Sequence, residues 1–547
     1  MINGTINLPK PDNALLVNFE QGSSEREKLV KAIERLRNDT PRDLPLWIDG
    51  SPFGCYFPGM CTSPHDTGRV LAHYAIAPHE SIVRLATDRM IMNTKKQWER
   101  LPWHLRLHIF RKAAYLLEHK YFYDAVAVTM EDYSKNPYEA MIDVVELIDF
   151  WNFNVYFASE IYHEQPDSVA SDFNFMDYRP WDGFVAAIPP NNFISIALNL
   201  ATAPLMMGNV VVCKPAPETI FSFHFMLNIL HEAGLPKDVL SVLHGDEEMI
   251  GNALLTSEHL SHVHFTGSAE TMHKIVETIG ANIRNYRGFP EVIGETGGKN
   301  FMAVYDDADL MEAAAAITQS AFGYQGRKCS ALSRLYLTNG MWEKLRPILV
   351  AMMTQIHVGD VADFHNYLGA IISEQEYEKI VGYITRANTD KAMREIYGGT
   401  YRQDEKGYWV YPTIIVSCDP YSETMMQEIF GPVLTVYPIG DHGFNLAEVV
   451  ARLSKNNPYK LTGAIHTTDT YALAQALDDL RLAAGNVYDG RTTGAVVNRQ
   501  PFGGSGKSGS NSKPGSKLNL YRWVNPRSIS LVNSKPQHFA PAYLDRD

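Results

Sequence analysis

From residue 184 onward, short apolar runs alternate with stretches long enough for helices, and few folds accommodate such a chain. The runs 184–188, 209–213, 239–243 and 262–265 are built largely from Val, Leu, Ile, Phe and Ala. Runs of this length, separated by helical segments, are the pattern of βαβ units whose strands lie parallel and are covered on both faces. A second series begins at 300–305 and continues through Leu335, Ile414, Leu434 and Ile465. The pattern predicts two α/β domains in tandem, and 547 residues supply enough chain for both.

Before residue 184 the chain reads as mostly helical. Ser24, Glu25, Arg26 and Glu27 form a capping-box pattern, followed by Leu29, Val30, Ile33 and Leu36 at helical spacing. Helices are predicted over 105–117 and over 141–151, the second with Met141, Val144, Val145, Ile148 and Trp151 on one face. The Gly/Pro-rich stretch 55–65 reads as irregular, and 503–517 as a loop before a closing strand at 528–532.

Charge and cysteine content exclude several function classes. Lys and Arg total 49 against 62 Asp and Glu, a net charge of −13, and no basic run occurs. Nucleic acid is therefore not an expected partner. Five cysteines, odd in number and mostly isolated, suit a reducing compartment. The first residues carry neither a secretory nor a transit pattern, and no apolar run reaches the roughly 20 residues of a membrane span. The expectation is a cytoplasmic protein, with the mitochondrial matrix as the alternative, acting on a small molecule and away from membranes.

Some motifs fail on inspection. Gly506, Lys507 and Ser508 resemble the end of a P-loop, but Pro501 stands where its first Gly belongs. His104 and His108 lack the Glu and third ligand of a zinc site, and Cys55 and Cys61 read as structural, so no metal is expected. Thr266, Gly267 and Ser268 join a strand to a helix, which is either a plain tight turn or a cradle for an anion at a helix N-terminus. Cys329 follows Arg327 and Lys328 in a Gly-bearing turn, where a thiol is either an activated nucleophile or a buried structural group. Glu295, flanked by glycines at a strand end, is a candidate general base.

Taken together, 188–193, 212–215, 265–268, 294–299, the Cys329 turn, 428–433 and 501–504 resemble, in content and in order, the motifs of the aldehyde dehydrogenase superfamily. Cys329 follows Glu295 by 34 residues, that superfamily's spacing of nucleophile and base. Within it, 328–336, 484–486 and 493–504 are most similar to the Δ1-pyrroline-5-carboxylate (L-glutamate γ-semialdehyde) dehydrogenases, in their monofunctional form.

The resemblance implies an α/β fold with a Rossmann-type NAD-binding domain (1–160 and 184–295), an α/β catalytic domain (296–505) and a β-hairpin flap near 162–181. Residues 161–183 and 506–547 would then form the flap and C-terminal strand of a homodimer. The implied activity is NAD-dependent oxidation of glutamate semialdehyde, or of another small aldehyde, by Cys329 as nucleophile, Glu295 as base and Asn192 as oxyanion donor. NAD would meet Pro189, Lys214, Gly267, Ser268, Ala269, Glu270, Thr271, Glu428 and Phe430. The substrate would meet Ser330, Gly494, Ala495, Phe193, Phe502 and Glu139. The sequence departs from the family pattern before the catalytic Asn, where Asn191 replaces an aromatic residue. It departs again three residues after Lys214, where Pro217 replaces an acidic one.

Overall fold

The strands form because their residues are apolar on both faces, and they assemble into two seven-stranded sheets. In this computed structural model, which describes residues 6–440, 445–539, 541, 543 and 544, the first sheet has the order Glu291–Thr296, Leu260–Gly267, Phe184–Ile188, Val211–Cys213, Leu240–Val242, Leu46–Ile48, Ser51–Phe53. Its first five strands are parallel; Leu46–Ile48 pairs antiparallel with Leu240–Val242, and Ser51–Phe53 pairs antiparallel with it on the edge. The connection reverses direction between Phe184–Ile188 and Leu260–Gly267, so a crevice opens at their carboxyl ends.

The second sheet runs Met393–Tyr397, Thr413–Ser417, Val433–Ile439, Leu332–Thr338, Asn300–Val304, Thr462–His466, Asn486–Asp489, all parallel except the first strand. Strand alternation divides its core in two. Met302 and Val304 face the helices Leu310–Phe322 and Asn339–Thr354, whereas Phe301 and Ala303 face Leu446–Asn456 and Thr470–Asp479. The largest core lies around the first sheet and includes the fully buried Trp151 and Trp523.

Several elements differ from the sequence reading. The first helix, Ser24–Asn38, is capped by Ser23, whose extended backbone lets its Oγ accept from Arg26 N; Ser24 is already helical. Its buried face is Leu29, Ala32 and Ile33, and Val30 is exposed. The helix expected over 141–151 extends from Pro137 to His163, capped by Asn136, because its apolar surface continues in both directions. Within 55–65, Gly59–Ser63 is a strand paired with Asp66–Tyr74; Gly59 permits this, since a Cβ there would strike the Tyr74 ring. Cys61 is buried in that strand while Cys55 is exposed, so only Cys61 has a packing role. Over 162–181 the chain leaves the helix at His163 and folds back through a tight turn at the antiparallel bridge Val169↔Asp172, with Gln165 Oε1 accepting from Met176 N; its long arm, Asp172–Arg179, pairs antiparallel with Asn525–Val532 across the full length of both.

Candidate active site

Cys329 is presented by a turn whose geometry its neighbours enforce. Tyr324 and Gln325 hold left-handed backbone at φ 51° and 52°, a conformation unfavourable for residues with a Cβ. The buried Gln325 amide compensates by donating to Ser134 O at 2.8 Å and Ala370 O at 3.0 Å. Beyond the turn, Asn300 Nδ2 donates to Cys329 O and Ala331 O, both at 2.8 Å. The Cys329 peptide is thus clamped from the first residue of the strand Asn300–Val304.

The two cations preceding Cys329 do not activate its thiol as the turn composition suggested. Arg327 is fully buried and points away, its Nη2 donating to Asn191 Oδ1 at 3.0 Å and its guanidinium 5.4 Å from the centre of the Phe430 ring. Lys328 Nζ pairs with the Glu139 carboxylate at 2.7 Å. Burial, followed by the fields of Glu428, Glu295 and Glu146, pushes the thiol up to about 12. Asn192 is also engaged, donating from Nδ2 to Arg327 O at 3.1 Å while its buried Oδ1 has no partner.

Glu295 is the penultimate residue of the strand Glu291–Thr296, in register with Thr266 of the neighbouring strand. Its carboxylate accepts from Gly504 N at 3.1 Å and Ser512 N at 3.2 Å, yet burial outweighs these bonds and raises its pKa to about 8.

A cavity of about 690 Å³ brings together residues distant in sequence. Cys329, Glu295, Ser330, Gly494, Ala495, Phe193, Phe502 and Glu139 all line it. The sequence reading missed other lining residues, including Glu146, which accepts from Ser195 Oγ at 2.6 Å. Behind Phe193, the fully buried Lys135 lies 3.7 Å from the ring centroid and 2.6 Å from Asp143 Oδ2. Asp143 in turn accepts from Ile194 N and Ser195 N. No local signal marks Lys135 or Asp143, because each is recognisable only by its partner.

The cofactor candidates lie outside that cavity, most of them at the carboxyl ends of the first sheet's strands, with Glu428 and Phe430 just before the second sheet's strand Val433–Ile439. Pro189 follows Phe184–Ile188, and Gly267 ends Leu260–Gly267. Ser268 caps the helix Ala269–Ala281, accepting from Thr271 N at 3.0 Å, so Ala269, Glu270 and Thr271 form its first turn. The buried Lys214 follows Val211–Cys213 and pairs with Glu247, which the sequence did not single out. Glu428 accepts from Gly298 N at 2.9 Å, and a Cβ on Gly297 would collide with its carboxylate; burial raises it to about 7. Phe430 is held in left-handed backbone at φ 59°. A helix N-terminus at the reversal point, a lysine at the next strand end and a glycine-backed carboxylate fit a dinucleotide. Among the described residues no group of three His, Cys, Asp or Glu is gathered for a metal ion, and no helix is long and apolar enough to cross a membrane.

Comparison with known proteins agrees with this geometry. The aldehyde dehydrogenase family profile matches residues 59–529. The mitochondrial Δ1-pyrroline-5-carboxylate dehydrogenase of Dictyostelium discoideum is 39% identical over 530 residues, covering 96% of this chain and 94% of that one. The Agaricus bisporus Δ1-pyrroline-5-carboxylate dehydrogenase is 37% identical, covering 96% of each. The crystal structure of the Mycobacterium tuberculosis Δ-pyrroline-5-carboxylate dehydrogenase bound with NAD superposes with a TM-score of 0.93 at 37% identity, covering 99% of both chains. With the fold, the motif order and the cavity in agreement, this chain belongs to the aldehyde dehydrogenase family.

Proposed function

We propose that the protein oxidises L-glutamate γ-semialdehyde, the open form of Δ1-pyrroline-5-carboxylate, to L-glutamate in proline breakdown, with NAD as cofactor. The observation that carries this reading is the single cavity in which Cys329, Glu295 and the six substrate candidates meet. Ser330 Oγ–H and the N–H groups of Gly494 and Ala495 hold the α-carboxylate, Phe193 and Phe502 flank the methylenes, and Glu139 borders the pocket with its charge balanced by Lys328.

Cys329 Sγ loses its proton to water and bonds to the aldehyde carbon, whose C=O π pair moves onto the oxygen. The Asn192 amide, which has a second N–H beyond the one given to Arg327 O, and the Cys329 N–H stabilise the oxyanion. Bound NAD would supply the hydride acceptor, so that loss of hydride from the carbon on Cys329 Sγ would leave a thioester on that residue. Glu295 takes a proton from the water that attacks this thioester; the C–S bond breaks and glutamate departs. Lys214 and Glu428 would hold the ribose hydroxyls, Gly267 and Ser268 with the first helical turn Ala269, Glu270 and Thr271 would hold the pyrophosphate, and Pro189 and Phe430 would border the nicotinamide end.

On this reading residues 1–160 and 184–295 carry the cofactor and 296–505 the nucleophile. Residues 161–183 and 506–547 join two copies into a homodimer. The exposed Phe173, Leu531 and Val532 on the ribbon support the dimer, which light scattering tests. For the compartment, cytoplasm and mitochondrial matrix are separated by cell fractionation; the D. discoideum relative's name assigns that protein to mitochondria.

The direct test is steady-state NAD reduction with glutamate semialdehyde beside propanal and butanal, with Cys329→Ala as control. Glutamate semialdehyde is expected to exceed the simple aldehydes by orders of magnitude in kcat/KM, since donors built for a carboxylate are left unpaired without it. Parity among the three substrates transfers the assignment to another small aldehyde.

A further inference from the structure

The residue three after Lys214 is Pro217, which opens the short turn Pro217–Thr219 and offers neither charge nor a side-chain acceptor. A carboxylate nevertheless reaches Lys214 from another strand. Glu247 is the first residue of the helix Glu247–Leu255, which follows the strand Leu240–Val242, and its carboxylate pairs with Lys214 Nζ. Lys214 itself follows Val211–Cys213, the parallel neighbour, with Cys213 and Val242 in register. The pair therefore bridges two adjacent strand ends on the side where α/β sheets receive nucleotides. Its members are unequally exposed. The Lys214 side chain is 7% accessible and belongs to the wall, whereas that of Glu247 is 63% accessible.

We propose that Glu247 is the residue by which this protein prefers NAD to NADP, substituting from a second strand end for the acidic residue displaced by Pro217. The inference rests on the reading of Lys214 as a ribose-binding residue. A carboxylate accepts a hydrogen bond from a ribose hydroxyl but repels a 2′-phosphate, which brings negative charge and no donor. Glu247 also occupies the Lys214 ammonium, a cation with which a 2′-phosphate could otherwise pair. Removing the carboxylate charge therefore acts twice, taking away the repulsion and freeing the lysine. Glu218 is nearer in sequence but serves less well. It forms no ion pair among the described residues, and burial raises its pKa and favours its neutral form.

The test is calorimetric titration of the cofactor-free protein with NAD and NADP, and with ADP-ribose and its 2′-phosphate, for the wild type, Glu247→Gln and Glu218→Gln. In Glu247→Gln the ratio of the NADP to the NAD dissociation constant is expected to fall by about tenfold or more, and Glu218→Gln is expected to leave it unchanged. Because Glu247 is a surface residue, unchanged melting of the variant separates this effect from misfolding. A ratio unaltered in Glu247→Gln, or a shift found in Glu218→Gln instead, overturns the proposal while leaving the cofactor site in place. Failure of the wild type to bind either dinucleotide overturns the cofactor site and this inference together.

Discussion

Lys328 Nζ lies 2.7 Å from the carboxylate of Glu139, 189 residues away in sequence. The cation adjoining Cys329 is therefore neutralised by the helix Pro137–His163 before it can act on the thiol. Burial and three carboxylates then dominate, and the thiol is held in its protonated form at neutral pH.

Glu139→Gln both removes a negative charge and releases the Lys328 ammonium toward the turn. Each change favours the thiolate, so the pH midpoint for alkylation of Cys329 by iodoacetamide is expected to move down by about one unit or more. The pH dependence of alkylation, followed by mass spectrometry of the Cys329 peptide, measures it. A midpoint unchanged in the variant means that Lys328 does not reach the thiol's field.

In its proposed role as base, Glu295 has to be ionised to take a proton from water, and its pKa is raised to about 8. Below that value the carboxyl is mostly protonated, so thioester hydrolysis is expected to rise with pH and level off above about 8. Glu295→Gln should keep the initial burst of reduced cofactor, lose most of the slow phase and abolish the pH dependence of that phase. Stopped-flow absorbance across pH 6–9 resolves the two phases; equal slowing of both would give Glu295 a different role.

Ser330→Ala deletes one donor from the carboxylate anchor and leaves the Gly494 and Ala495 N–H groups in place. The KM for glutamate semialdehyde is expected to rise about tenfold, the worth of one hydrogen bond to a charged group. Butanal kinetics should barely change. A parallel loss for both substrates in initial-rate assays would assign Ser330 to positioning Cys329.

Lys135→Met strands Asp143, since both side chains of this ion pair are 0% exposed. Breaking one partner of a buried pair costs about 3 kcal/mol. Two backbone donors, Ile194 N and Ser195 N, remain on Asp143 and make the lower end of the range the expected one. Urea denaturation reads the change as a lower midpoint at unchanged slope. Because Lys135 also lies against the Phe193 ring, the KM for glutamate semialdehyde should rise in the same variant.

The amino-acid sequence by itself determined the two α/β units and the identity of the chemical groups. Strands such as Phe184–Ile188 and Asn300–Val304 were legible because their burial on both faces is written into consecutive residues. Cys329, Glu295 and Lys214 were legible because each sits in a motif of adjacent residues. Less was legible where an element depends on a distant partner: the strand Gly59–Ser63 needs Asp66–Tyr74 beside it, and Asp172–Arg179 needs a strand some 350 residues later. Charge placement was the least legible. Arg327 and Lys328 are adjacent to the thiol in the chain, and adjacency suggested activation. The fold turns one toward Asn191 and the other onto Glu139, and gives Lys214 a carboxylate from the start of the helix Glu247–Leu255. The physical reason is that electrostatic effects follow distance and burial in space. Composition lists which charges a chain carries, whereas tertiary structure alone decides which of them meet and how much water separates them.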